Sequence, residues 1–145
     1  MSDIAPKAPK SILLIDDDDL IAGSLRQVLQ ADGCDVDVAL DPFAAAAWMR
    51  AKSYDVVIVD PYLTGAIHDG AGLLGSIEAL QARAFTIVLT AYASPALATA
   101  AGSLQSAVML AKPQSIVSLH ELVANRFAQA LPSSLPNTFV QRMIE

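Results

Sequence analysis

The chain is short of several things, and each shortage removes a class of function. It has one cysteine, Cys34, so no disulfide can close within it and a reducing compartment is expected. It has two histidines, His68 and His120, and neither has a second histidine or cysteine spaced to share a metal; both read as surface residues. Cations are scarce: nine Lys and Arg stand against fifteen Asp and Glu, for a formal net charge of -6. A chain of that sign repels nucleic acid and anionic membrane, so neither is an expected partner. No apolar run approaches the roughly 18 residues that span a bilayer. The first ten residues, MSDIAPKAPK, have lysines but no apolar stretch behind them, so they read as a disordered lead over residues 1–10 and not as a signal peptide.

What the chain does have is apolar material for one core. Hydrophobic residues make up 54% and charged ones 17% of 145 residues, enough for one domain and too few for two ordinary ones. The most unusual stretch is Ser11 to Leu20, SILLIDDDDL, where an apolar run ends in four aspartates, Asp16 to Asp19. Carboxylates massed at the end of a buried strand repel one another, and an uncompensated buried ion costs several kcal/mol, on the order of known desolvation penalties. A divalent cation is the simplest compensation. Asp18 and Asp19 read differently, as helix-start charges favoured by the helix dipole.

Hydrophobic periodicity predicts five strands alternating with five helices. The run ILLI (12–15) suits a strand covered on both faces, and Leu20, Ile21, Ser24, Leu25, Val28 and Leu29 then recur at helical spacing up to a stop at Ala31 to Gly33. DVDVA (35–39) alternates strictly, as a strand near a sheet edge does. Asp41 and Pro42 open an alanine-rich helix to about Lys52, in which Trp48 reads as a packing residue. YDVVIVD (54–60) is a second apolar run ending in a carboxylate, followed by a loop through Gly70 and a helix carrying Leu73, Leu74, Ile77 and Leu80. FTIVL (85–89) ends in Thr90; Ser94 and Pro95 cap a helix to about Ser103; AVMLA (107–111) ends in Lys112 and Pro113. The last helix is capped at Ser115, or slightly later through a Ser118 and Glu121 capping box, and turns Ile116, Leu119, Leu122, Val123 and Phe127 inward. Such alternation predicts an α/β fold, a doubly wound five-stranded parallel sheet of flavodoxin-like kind with helices on both faces. Ligands in these folds bind beyond the carboxyl ends of the strands. Asp16, Asp17, Asp60, Thr90 and Lys112 all fall at those ends.

Three carboxylates at one edge suit a hard cation such as Mg²⁺, which takes one or two carboxylates and keeps waters and phosphate oxygens. A carboxylate facing such a site can act as a nucleophile toward phosphorus, with a hydroxyl and a lysine neutralising the transferred group. Asp60, Thr90 and Lys112 fit those three roles.

These motifs, LLIDDDD, DVVIVD, VLTA and MLAKP in this order and spacing, resemble the response regulator receiver domain of two-component signalling over roughly residues 10 to 130. The resemblance implies a receiver domain over 11–130 and a tail or linker over 131–145. It implies that Asp60 is phosphorylated by a histidine kinase or phosphotransfer protein, and that Asp16, Asp17, Asp60 and the backbone carbonyl of Tyr62 hold Mg²⁺. Thr90 and Lys112 then contact the phosphoryl group, and the Lys112 to Pro113 peptide is cis. Such a protein is a cytoplasmic switch for a downstream protein and not a turnover enzyme.

The chain departs from the family pattern at several points. Leu63 is followed by Thr64 and Gly70 arrives about two residues late, so the loop after Asp60 is expected to be longer. The aromatic switch position is Met109, and the aromatic after Lys-Pro is Gln114. Tyr62 and Tyr92 occupy positions that in the family border the path of the hydrolytic water, so by the resemblance their bulk is expected to slow loss of the phosphoryl group. The helix from Ser94 to Ser103 lacks the charges that pair across the family's dimer face, so a monomer or an atypical dimer is expected. Two alternatives stand beside this reading. One is a phosphorylation-independent interaction module, suggested by Met109, Gln114 and the loop. The other is an aspartate-nucleophile phosphatase, disfavoured because Tyr62 stands where its acid/base aspartate belongs.

Overall fold

The apolar runs become strands β1 (Ser11–Ile15), β2 (Asp35–Ala39), β3 (Val56–Val59), β4 (Phe85–Thr90) and β5 (Ala107–Ala111). Between and after them lie helices α1 (Asp19–Ala31), α2 (Pro42–Ala51), α3 (Ala71–Leu80), α4 (Pro95–Gly102) and α5 (Ile116–Ala128). The structure, a computed structural model, describes residues 9–62, 71–91 and 94–128. Expectations for the N-terminal lead before residue 9, for the 63–70 loop with His68 and Gly70, for Tyr92 and for the tail from residue 129 fall outside those residues.

All five strands are parallel, in the order β2-β1-β3-β4-β5. This is the doubly wound fold that the alternation predicts, with DVDVA on the edge. Alternate residues of each strand point to opposite faces, so two cores form. One gathers Ile12, Leu14, Ile58 and Ile87 with Leu25 and Leu29 of α1 and Leu119, Leu122 and Val123 of α5. The other gathers Leu13, Ile15, Val57, Val59 and Val88 with Met49 of α2, Leu74 and Ile77 of α3 and Leu97 of α4. Burying each such side chain contributes about 2 kcal/mol, whereas an exposed ion pair contributes about 1 kcal/mol or less. Apolar layering therefore holds the fold, and charge is left to specify local sites.

Local signals set the helix ends. Asp18 caps α1, its side chain accepting from the Ile21 N–H at 3.3 Å. At the other end Gly33, with φ +89°, lets its own N–H reach the Gln30 carbonyl and the Cys34 N–H reach the Leu29 carbonyl. This is a Schellman stop that a side chain at position 33 would strain. Asp41 and Ser94 cap α2 and α4, each followed by proline. For α5 the earlier of the two expected starts holds: the Ser115 hydroxyl accepts from the Ser118 N–H at 2.9 Å.

Two expectations change and a third is extended. Trp48 is 37% exposed, because α2 buries Ala45 and Met49 and leaves the indole on its flank. His120 is not a bare surface residue; its Nε2 pairs with Asp32, joining α5 to the C-terminal cap of α1. The polar face of β2 is engaged: Asp35 and Asp37 both accept from Lys52 Nζ, at 2.7 and 2.8 Å, and Tyr54 donates its hydroxyl to Asp37 at 2.8 Å. Those hydrogen bonds raise the Lys52 pKa.

Gln81, just past α3, is 6% exposed and closes the α2-to-β3 turn. Its Oε1 accepts from the Tyr54 N–H at 2.9 Å, and its Nε2 donates to the carbonyls of Met49 at 2.9 Å and Lys52 at 2.7 Å. Replacing it with leucine orphans three backbone groups, each costing about 1–3 kcal/mol when buried and unpaired. Gln81→Leu is expected to lose at least about 2 kcal/mol in urea unfolding, and Gln81→Glu, whose carboxylate has no proton to donate to the Met49 and Lys52 carbonyls, loses at least as much at neutral pH.

Candidate functional site

The strand register brings the predicted site residues together. Ile15 of β1 pairs with Val59 of β3, so Asp16 and Asp60 follow side by side, and the Asp60 N–H donates to the Ile15 carbonyl at 2.8 Å. Thr90 of β4 pairs with Ala111 of β5, so Lys112 follows it, and the Lys112 N–H donates to the Thr90 carbonyl at 2.9 Å. Four strand ends thus deliver two carboxylates, a hydroxyl and an ammonium to one edge. The Lys112–Pro113 peptide is cis, as expected.

Within the site the acceptor candidate is held from both sides. Asp60 is 9% exposed; its Oδ2 accepts from Lys112 Nζ at 2.7 Å and its Oδ1 from the Tyr62 N–H at 3.0 Å. Asp16 is 7% exposed; its Oδ1 accepts from the Asp18 N–H at 2.9 Å, while its Oδ2 lies 3.6 Å from Lys112 Nζ. The second distance is Coulombic attraction without a hydrogen bond. The lysine is therefore shared by two carboxylates and bonded to one. Burial pulls Lys112 down, but the hydrogen bond to Asp60 and the charges of Asp16 and Asp60 outweigh it, and its net shift is upward. Lys112 stays an ammonium throughout the neutral range.

Asp16, Asp17 and Asp60 each place one carboxylate oxygen within 4.8 Å of the others. Oxygens on opposite sides of one ion lie about 4.2 Å apart for Mg²⁺ and about 5 Å for Ca²⁺, so small rotations bring the three onto a single ion. An all-oxygen, anionic set of this kind suits a hard divalent cation. Lys112 supplies one positive charge against three negative ones, which leaves the site short of cation.

The modulating residues divide. Met109 is half-buried and packs on the core shared with α2, α3 and α4. Gln114 donates its Nε2 to the Ala111 carbonyl at 2.8 Å, tying down the turn that carries Lys112. The Tyr62 ring packs on the same core as Met109, and its hydroxyl is buried with no hydrogen-bond partner among the described residues. Its N–H, not foreseen from the sequence, orients Asp60, and the Asp18 N–H does the same for Asp16. In both cases an aspartate bonds the backbone two residues on, a turn that an Asp at a strand end signals.

Comparison with known proteins agrees with this geometry. The response regulator receiver domain profile matches residues 12–124. A response regulator from Burkholderia pseudomallei, solved with a phosphorylated aspartic acid, a calcium ion and citrate, is 30% identical; the alignment covers 92% of this chain and 82% of that one, with a TM-score of 0.66. The Francisella response regulator 1452 receiver domain is 27% identical over 83% of this chain and 98% of that one, TM-score 0.69. A CheY-like receiver domain protein from Methanospirillum hungatei JF-1 shares the fold at 24% identity, covering 84% and 96% with a TM-score of 0.74. A search of curated proteins found no match.

Burial raises the Asp16 carboxyl above its ordinary value of 3.8; the Asp18 N–H and Lys112 oppose this, and Asp60 and Asp17 add to it. The folded state then holds that proton more tightly than the unfolded state. The contribution of Asp16 to stability is full below 3.8 and is lost as pH rises through the raised value. In metal-free buffer Asp16→Asn, which keeps the acceptor oxygen and removes the charge, is expected to melt a few degrees higher than the wild type at neutral pH. The gap should close in acid, and thermal melts across the pH range check it.

Proposed function

The chain belongs to the response regulator receiver domain family, and from that premise we propose that it is a phosphoacceptor switch in two-component signalling with Asp60 as the acceptor. The observation that carries the proposal is Lys112 Nζ at 2.7 Å from Asp60, beside a cluster of carboxylates with room for one cation.

A histidine kinase or phosphotransfer protein presents a phosphohistidine. A carboxylate oxygen of Asp60 forms the new bond to phosphorus as the bond from phosphorus to the imidazole nitrogen breaks, and the departing imidazole takes a proton from solvent. Asp16, Asp17 and Asp60 would hold Mg²⁺, with the Tyr62 carbonyl as a further oxygen; when bound, the ion neutralises charge on the transferring group. The Tyr62 N–H keeps Asp60 oriented for attack. Lys112 exchanges its bond to the Asp60 carboxylate for one to a phosphoryl oxygen, and Thr90 offers its hydroxyl from the end of β4. The protein acts once per phosphoryl group received, as a cytoplasmic switch and not as a turnover enzyme.

Phosphorylation adds charge at the strand ends and shifts a conformational equilibrium that a downstream protein reads. Met109 is on the strand next to Thr90 and has three rotatable bonds, so the readout proceeds by repacking of an apolar side chain and not by the swing of a ring. Bulk at Tyr62, two residues past Asp60, slows the approach of water to the acyl phosphate.

Incubation with Mg²⁺ and a small phosphodonor, followed by intact mass, is expected to give a single-phosphoryl adduct in the wild type and none in Asp60→Asn. The adduct should decay faster when Tyr62 is replaced by serine. Absence of an adduct, or its persistence in Asp60→Asn, would overturn the assignment, and sustained turnover of the donor would favour a phosphatase.

A further inference from the structure

At the opposite end of the sheet from Asp60, where the strands begin, lies an open cleft of about 600 Å³, a volume in the range of small-molecule sites. Its lining includes Lys10, Asp55, Leu80, Arg83, Arg126 and Phe127. Lys10 immediately precedes β1, Arg83 lies in the turn between α3 and β4, and Arg126 is in the last turn of α5. Three of the nine cations of an acidic chain are thus placed around one cavity.

The charge there is not internally matched. Among the described residues none of the three cations has a carboxylate within ion-pair distance. Asp55 is the only acidic residue in the lining, and its Oδ2 already accepts from the Ser11 N–H at 2.8 Å. Two of the cations are held by aromatic faces instead: Lys10 Nζ lies 5.6 Å from the Phe127 ring centroid, and the Arg126 guanidinium lies 4.7 Å from that of Phe85. Beside the cations, Leu80 at 38% exposure and half-buried Phe127 form an apolar wall.

Guanidinium groups bind phosphate in a planar, bidentate fashion, and an apolar wall next to them accepts a flat ring. We propose that this cleft binds a small phosphorylated molecule bearing a planar apolar group, of the nucleotide class, independently of the acidic site at Asp60.

The test is titration of adenosine 5′-monophosphate and of inorganic phosphate into the whole chain in metal-free buffer, followed by amide chemical shifts. The nucleotide is expected to bind saturably, about tenfold or more tighter than phosphate, and to shift amides around Arg83 and Phe127. Arg83→Ala should weaken it by about tenfold, the loss of one charge-assisted hydrogen bond, and Lys10→Gln should act in the same direction. Arg83 is exposed, so its removal leaves the melting temperature unchanged. Asp60→Asn, which disables the acidic site, should leave nucleotide binding intact. The proposal is overturned if neither probe saturates up to millimolar concentration, if both bind equally, if Arg83→Ala binds like the wild type, or if Asp60→Asn abolishes binding.

Discussion

The bond from Lys112 to Asp60 is the interaction on which the site depends. Parallel pairing of β1, β3, β4 and β5 sets Asp16 next to Asp60 and Lys112 next to Thr90, whatever the cost in repulsion. Without the ammonium, two carboxylates under 10% exposed would face each other with Asp17 close by. Lys112 at 2.7 Å makes that arrangement bearable but leaves it incomplete, with one positive charge for three negative. On the proposed function that incomplete balance has a use: it would draw a divalent cation to the carboxylates, and the combined field would favour an incoming phosphoryl group over a neutral ligand.

Much of this was legible before any coordinates. ILLI, DVVIVD and FTIVL read as buried strands, and the residues that end them are among the ones the register gathers. Caps at Asp41 and Ser94 were readable because an Asp or Ser before a helix has one dominant use, sharpened in both by a following proline, whereas Asp18 read only as a helix-start charge and proves to be the cap of α1. Features that depend on contacts between distant segments were not readable. Nothing near Gln81 announces that its side chain will serve three backbone groups some thirty residues back, and the alternation of DVDVA predicts a polar face without predicting that Lys52 and Tyr54 will occupy it. His120 read as a plain surface residue because its partner, Asp32, is on another helix. Trp48 was misplaced since a short helix over an edge strand buries only a narrow stripe.

The two ends of the sheet gather different side chains. Acidic groups collect where the strands finish, and Lys10, Arg83 and Arg126 collect where they begin. Between them lie two apolar layers that share the same strands, so each end is held by the same rigid element. Met109 sits on β5 within one of those layers, paired in register with Val88 two residues before Thr90. A change at Thr90 is therefore felt first in packing, which is consistent with a switch that lacks an aromatic ring at this position.

On the proposed function Lys112 stands in for part of a cation that the carboxylates of Asp16, Asp17 and Asp60 would bind. Calorimetric titration with Mg²⁺ of the wild type and of Lys112→Met tests it most directly. One saturable site per chain is expected, with tighter binding in the variant because a competing positive charge has been removed. A wild type that shows no saturable binding, or a variant that binds Mg²⁺ more weakly, would contradict it.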